Sequence, residues 1–266
     1  MKNKQMINES FFDKVSSSIN LLERNKYNKL NCDSNFDCWV DELFKDIGFS
    51  RVLDVCCGTG NQLIKFASNK KVELLIGIDL SEESLKIASE RISKNSSLNV
   101  ILRNISMEKL CDDEVIKRSK IDFISCFYGL YYSKDVENTL NQMFELLPIG
   151  GSIVVAGPYG KNNYNFFELL QKRFRIPEFV LKSSTTFMQE VVFPLLLKKA
   201  DVCESSFVNK ISFFDTESLY DYWKATTFYF PEYKDIIFND INSFFKQSKE
   251  FVIEKHVLAY VATKKL

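Results

Sequence analysis

Residues 51–63 join a short apolar run, Arg-Val-Leu-Asp-Val, to Cys-Cys-Gly-Thr-Gly and then to Asn-Gln-Leu. Arg51–Val55 has the length and composition of a buried strand. Gly58-Thr59-Gly60 is a turn in which the backbone can approach a neighbour closely. A helix is predicted to start just after it. Strand, glycine turn and helix in that order aim backbone N–H groups at a ligand. The same alternation continues downstream. Strands are predicted at 51–56, 73–79, 98–102, 121–127 and 151–157, with helices at 60–68, 82–93 and 135–147. Ser81 before Glu82 and Glu83 is a good N-cap followed by an acidic first turn. Alternating β and α units predict a doubly wound, mostly parallel sheet with helices on both faces.

The flanks read differently. Residues 6–48 look helical, with Phe36, Val40, Leu43, Phe44 and Ile47 at helical spacing and a loop at Arg24–Lys29. After Pro158 come helical signals at 163–173 and 186–199, too much chain for a plain crossover loop. A strand at 207–214, helices at 217–226 and 233–247, and a strand at 251–263 close the sequence. The expected organisation is N-terminal helices at 1–50, a core at 51–157, a helical cap at 158–206 and a completing segment at 207–266.

Composition limits the partners. The 35 Lys and Arg residues balance the 35 Asp and Glu residues, so no basic field exists to hold nucleic acid or an anionic membrane. Apolar runs such as Val191–Leu197 are far shorter than a membrane span, and the opening residues lead into no signal-like apolar segment. Seven cysteines without a Cys-x-x-Cys, beside a single histidine, predict no metal site. They fit core packing in a reducing cytoplasm. A small-molecule partner and a monomer or homodimer are the expectation.

Asp79 ends Ile76-Gly77-Ile78-Asp79, 25 residues after Asp54. An acid at the end of the second strand can accept both hydroxyls of an adenosine ribose. Four stretches together resemble the class I S-adenosylmethionine-dependent methyltransferases. Val52–Gly60 is similar to their first motif and Ile76–Ser81 to the ribose motif. Ile121–Phe127 is similar to the fourth strand, and Leu146–Val155 to the run into the fifth. The resemblance implies a Rossmann-like seven-stranded sheet. It also implies methyl transfer from S-adenosyl-L-methionine, leaving S-adenosyl-L-homocysteine. The implied cofactor-binding residues are Asp54, Cys56, Gly58, Gly60, Asp79, Leu80, Asn104, Ile105 and Phe127. NAD fits less well, because Leu63 stands where a dinucleotide fold needs its third glycine.

Two departures stand out. Cys56 replaces the usual first glycine, where a small side chain is expected to fit. Asn104 replaces the usual acid at the adenine edge and can still accept from the adenine amino group. Tyr128 follows the fourth strand and is the candidate catalytic residue, facing substrate or sulfonium. Tyr131, Tyr132, Tyr159, Tyr164, Arg173 and Arg175 are candidate substrate contacts. The run Lys172–Arg175 reads more readily as a solvated helix end than as an anion site. The lone His256 falls in the last strand and reads as a structural residue of an edge strand far from the cofactor. Methylation of N or O on a sugar, a nucleotide-linked glycan intermediate or a natural product is the expectation. A peptide or protein methyltransferase and a non-catalytic cofactor-binding subunit are the alternatives.

If Asp79 holds the ribose by charge-assisted hydrogen bonds of roughly 1.5–3 kcal/mol each, Asp79→Ala will weaken S-adenosylmethionine binding at least tenfold in a folded protein. Calorimetry checks this, and unchanged affinity would remove the ribose assignment.

Overall fold

The computed structural model describes residues 18–30, 35–94 and 100–266. The first strand β1 (Arg51–Val55) leads through helix α3 (Asn61–Ala67) to β2 (Leu74–Asp79). Helix α4 (Glu82–Ser93) connects to β3 (Val100–Asn104), and α5 (Glu114–Arg118) to β4 (Phe123–Phe127). Helix α6 (Val136–Leu146) precedes β5 (Ser152–Pro158). Ahead of them lie α1 (Ser18–Leu30) and α2 (Phe36–Phe44). After β5 come α7 (Tyr164–Gln171), α8 (Glu178–Thr185), a π-helical turn (Met188–Val192) and α9 (Phe193–Leu197). Strand β6 (Ala200–Phe213), helices α10 (Thr216–Lys224) and α11 (Lys234–Phe245), and strand β7 (Phe251–Lys264) complete the chain.

The seven strands form one sheet in the order β3-β2-β1-β4-β5-β7-β6. The first five are parallel, with Leu53 opposite Ile76 and Ile124, and β7 runs antiparallel to β5. Strand order reverses between β1 and β4, and such a switch point opens a crevice at the carboxyl ends of the strands.

The chain groups into two compact units. One comprises residues 37–160, 181–207 and 256–266. On one face of its sheet, Val55, Ile78, Cys126, Val155 and Tyr260 pack with Met143 and Phe144 of α6. Met188, Val192 and Leu196 join that cluster, so the second half of the expected cap is core. Elsewhere in this unit an aromatic group, Phe44, Phe49, Phe66 and Phe123, holds α2 and α3 against the strands. Among the described residues, the other unit comprises 18–30, 35–36, 161–180 and 208–255. Tyr222 and Trp223 are its buried centre. Phe166 and Tyr27 meet Tyr222 edge-on, and Phe167 meets Phe228.

The structure departs from the sequence reading in several places. The expected loop at residues 24–29 is helical and lies inside α1. Its charges are compatible with a helix face, and polarity alone does not break a helix. Strand β6 begins at Ala200, so the helical insertion ends before residue 206. Helix α8 was not anticipated. Pro194 explains the π turn, since its ring crowds the carbonyl of Glu190 and it brings no N–H to the ladder. The expected helical signal at 6–17, Cys32 and the expected start of β3 at residue 98 lie outside the described residues.

Gly77 sets how closely α3 sits on the sheet. A Cβ there would lie 2.7 Å from Leu63 Cδ1, 3.0 Å from Leu102 Cδ2 and 3.1 Å from Cys57 Sγ. Gly77→Ala will lower stability by about 1–3 kcal/mol through overpacking. Gly48→Ala, where nothing lies within 4 Å, is the control. Urea unfolding of both reads the difference.

Candidate active site at the carboxyl edge of the sheet

The loop leaving β1 is built on left-handed backbone. Cys56, Gly58 and Gly60 have φ of 58°, 52° and 83°. Cys56 therefore does not stand in an ordinary conformation. A side chain there costs about 1–2 kcal/mol, which is why glycine suits the position. The Cys56 side chain finds room over Gly129, where a Cβ would come within 2.4 Å of Cys56 Cβ. A Cβ at Gly60 would lie 3.0 Å from Ala88 Cβ of α4.

Three contacts hold the loop. Cys57 N–H donates to the Ile78 carbonyl at 2.9 Å. Gly58 N–H donates to Asp79 Oδ2 at 2.8 Å. Arg91 of α4 donates to the Thr59 carbonyl at 2.6 Å and to its hydroxyl at 3.2 Å. Asp79 Oδ1 accepts from Ser81 N–H at 2.9 Å, while the Ser81 hydroxyl caps α4 as expected. Burial raises the Asp79 carboxyl above its ordinary value, and the N–H donors of Ser81, Gly58 and Leu80 pull it back. A carboxylate offers about four lone-pair sites, so Asp79 retains acceptor capacity.

Asn104 ends β3 beside it. Its amide nitrogen donates to the Asp79 and Leu80 carbonyls at 3.0 and 2.9 Å. That fixes the amide orientation and leaves Oδ1 as an acceptor. Leu80 is 68% exposed, an apolar surface next to these acceptors. Ile105 is half-buried against the core, and Phe127 is buried with an edge contact to Phe44.

Asp54 is buried in β1 and accepts from the Ser125 hydroxyl at 2.6 Å. Its Oδ2 is buried without a partner among the described residues. Burial pushes this carboxyl from 3.8 to about 7, Ser125 opposes the shift, and the Asp79 charge adds to it.

Beyond β4, Tyr128 is 39% exposed, has φ of 55° and donates its N–H to the Ala156 carbonyl at 2.7 Å. Tyr131 and Tyr132 pack together 4.5 Å apart between ring centres, and Tyr131 meets Phe187 edge-on. Tyr159 follows β5 and pairs with His256 of β7. The other three candidate contacts belong to the second unit. There the Tyr164 hydroxyl donates to Glu168, and Arg173 forms a two-pronged pair with Asp240 at 2.6 Å, which occupies its charge. Arg175 is exposed.

His256 is the residue that sequence reasoning misplaced. Its strand is not an edge strand, because β7 lies between β5 and β6. It runs antiparallel to β5, so its first half reaches the carboxyl edge. Arg91 was missed altogether. A lone basic residue on a helical pattern carries no sign of which carbonyl it will meet.

A family model described as a methyltransferase domain matches residues 49–200, more than half of the chain. The chain belongs to that family. It is 27% identical over 161 residues to a demethylmenaquinone methyltransferase of Lactococcus lactis, covering 57% of this chain and 61% of the relative. The chain thus spans about three-fifths of that relative's length. Two solved structures share the fold of this chain. The YcgJ protein of Bacillus subtilis aligns with a TM-score of 0.60 and 14% identity, over 86% of this chain and 97% of that one. Phosphoethanolamine N-methyltransferase 2 of Haemonchus contortus, in complex with S-adenosyl-L-methionine, aligns with a TM-score of 0.56 and 16% identity, over 94% and 58%.

Asp54 predicts a pH signature. A carboxyl whose folded value is raised binds its proton more tightly in the native state. Its contribution is then complete below about pH 4 and lost as pH rises through about 7. The stability difference between wild type and Asp54→Asn should therefore shrink across that window, by at most roughly 4 kcal/mol. Urea titrations of both proteins at several pH values measure it, and parallel curves would contradict the assignment.

Proposed function

We infer that this methyltransferase binds S-adenosyl-L-methionine across the ends of β1, β2 and β3 and methylates a small molecule. The observation that carries the reading is a row of acceptors at one sheet edge. Asp79 has unused lone pairs, Asn104 turns Oδ1 away from the two carbonyls it serves, and Asp54 Oδ2 is buried without a donor. S-adenosylmethionine is rich in donors that suit them: the ribose diol, the adenine amino group and the ammonium. NAD shares the diol, but Leu63 is buried where its glycine would be required.

Bound there, the cofactor supplies an electrophilic methyl group on sulfonium sulfur. The chain positions and selects. Asp79 and Asn104 fix the nucleoside, and Leu80 presents an apolar face beside them. Gly58 and Gly60 let the loop lie close, with Arg91 keeping it in place. Tyr128 borders the reacting end, where its ring face stabilises a cation. An acceptor held in line with the methyl group needs little else from the protein. The matched relative is named for a quinone-type acceptor, which supports a small aromatic acceptor here. Among the described residues no helix is long and apolar enough to cross a membrane. With the balanced charge, this supports action on a dissolved acceptor in the cytoplasm.

Titration calorimetry with S-adenosylmethionine and with S-adenosylhomocysteine tests the reading. Micromolar binding of both is expected. In Arg91→Met, cofactor affinity should fall about tenfold while the fold persists, because the Thr59 carbonyl loses a charged donor worth roughly 1.5–3 kcal/mol. Absence of binding to the wild-type protein would overturn the proposal.

A further inference from the structure

The single histidine of this chain lies where the parallel sheet presents its ligand edge. Val257 opposes Pro158 in the last pair of the β5–β7 ladder. One residue further, Tyr159 N–H donates to the His256 carbonyl at 3.2 Å. The two rings meet edge to face, 5.9 Å between centres. Strand alternation sets the face they share. Val155 and Tyr260 are buried in the core cluster, and side chains two and four residues along the strands stay on that side. Gly157 and Leu258 come next, then Tyr159 and His256. On β4 the same face carries Cys126, and Tyr128 follows just beyond the strand end, on left-handed backbone.

At Gly157 the Met188 sulfur lies 2.9 Å from where a Cβ would be. That sulfur is an apolar surface against β5 two residues before Tyr159. Strands β4 and β7 are two spacings apart, about 10 Å, room for one aromatic ring between them. Phe187 and Tyr131 add further aromatic surface. Tyr128, Tyr159 and His256 all remain partly exposed. The two charged residues before His256 on the strand are engaged elsewhere, Glu254 with Lys210 at 3.6 Å and Lys255 with Asn163 at 2.6 Å.

We propose that His256 is the general base of this enzyme and that the acceptor is a hydroxyl on an aromatic ring, held between Tyr128 and Tyr159. The inference rests on the methyltransferase reading above and specifies its acceptor. An amine acceptor reacts through a lone pair it already has. A phenolic hydroxyl, with an ordinary value near that of tyrosine at about 10, must lose its proton. Imidazole is the side chain suited to take it near neutrality. In the step, the hydroxyl oxygen forms the new O–C bond and its proton passes to an imidazole nitrogen. The electron pair of the broken S–C bond returns to sulfur and cancels the sulfonium charge. The imidazolium then releases its proton to solvent.

The test compares two phenols at pH 8, catechol and 4-nitrophenol, by release of S-adenosylhomocysteine. The second is already ionised and needs no base. His256→Gln should lose at least a hundredfold in kcat with catechol, less than tenfold with 4-nitrophenol, and change S-adenosylmethionine affinity less than threefold. Added imidazole should restore part of the catechol rate to His256→Ala. Because the chain has one histidine, its ring NMR signals report on a single site. In wild-type protein loaded with S-adenosylhomocysteine, catechol should shift them. Equal loss on both phenols, no loss on either, or unmoved ring signals would overturn the proposal. So would a wild-type enzyme that binds S-adenosylmethionine yet methylates 2-phenylethylamine and not catechol, or neither. A wild-type protein that fails to bind S-adenosylmethionine would instead overturn the methyltransferase reading.

Discussion

One charged hydrogen bond organises the ligand edge: Asp79 accepting the Gly58 N–H. It joins the end of β2 to the loop leaving β1, across strands that are already neighbours in the sheet. The carboxylate is largely buried, and its raised protonation point records what desolvation costs. Backbone N–H groups of Gly58 and Ser81 offset that cost and fix both oxygens in place. The carboxylate is thereby oriented in advance, and on the proposed reading a ribose diol would meet an acceptor with little freedom left to lose. Arg91 completes the frame from α4, reaching the loop one residue further on. The loop is thus anchored from two elements, one through a backbone donor and one through a backbone acceptor.

The strain in that loop has a local solution. Cys56 adopts a backbone conformation that favours glycine, and the residue that faces its side chain is a glycine, Gly129. The two positions divide one requirement between them. A Cβ is affordable at 56 only because none stands at 129. The Cys56 thiol lies against Cys126, and that contact together with burial raises it well above the ordinary thiol value. A thiol held protonated is a small apolar filler and a poor nucleophile. This fits a structural role for the cysteines at the site.

Much of the sheet was legible because its signals are local. Val52–Val55, apolar but for Asp54, and Leu74–Ile78 are short apolar-rich runs, as fully buried parallel strands require, and Gly58-Thr59-Gly60 punctuates the first of them. Asp79 could be located at the end of β2 because that position depends on one local pattern and one spacing. The features that were missed depend on partners distant in sequence. The helix over residues 24–29 is polar along its surface and needs the Tyr27–Tyr222 contact to explain it. The division of residues 158–206 between two units follows from where Met188 and Val192 find apolar neighbours, which no window of sequence contains. Arg173 looked like a free basic run until Asp240, 67 residues away, matched it. His256 was misread for the same reason: strand periodicity was clear, but sheet order and direction were not.

The antiparallel β7 gives the edge a property that a wholly parallel sheet lacks. In the parallel strands only residues at the carboxyl end can reach a ligand, and each arrives by way of the core. Strand β7 enters at that edge and runs back into the core, with Val257 opposite Pro158 and Thr263 opposite Ser152. Its first residues therefore reach the ligand edge before its buried stretch begins. Between Tyr159 and His256 the chain runs through α7 to α11 and adds β6 to the sheet before β7 returns to the edge that β5 left. Length and composition can change there without altering the register of β1, β2 and β4, which holds the cofactor acceptors. On the reading proposed above, acceptor choice and cofactor binding are in this way separable within one sheet, and Tyr159 and His256, closest to the return point, are the residues that a change of acceptor would alter first.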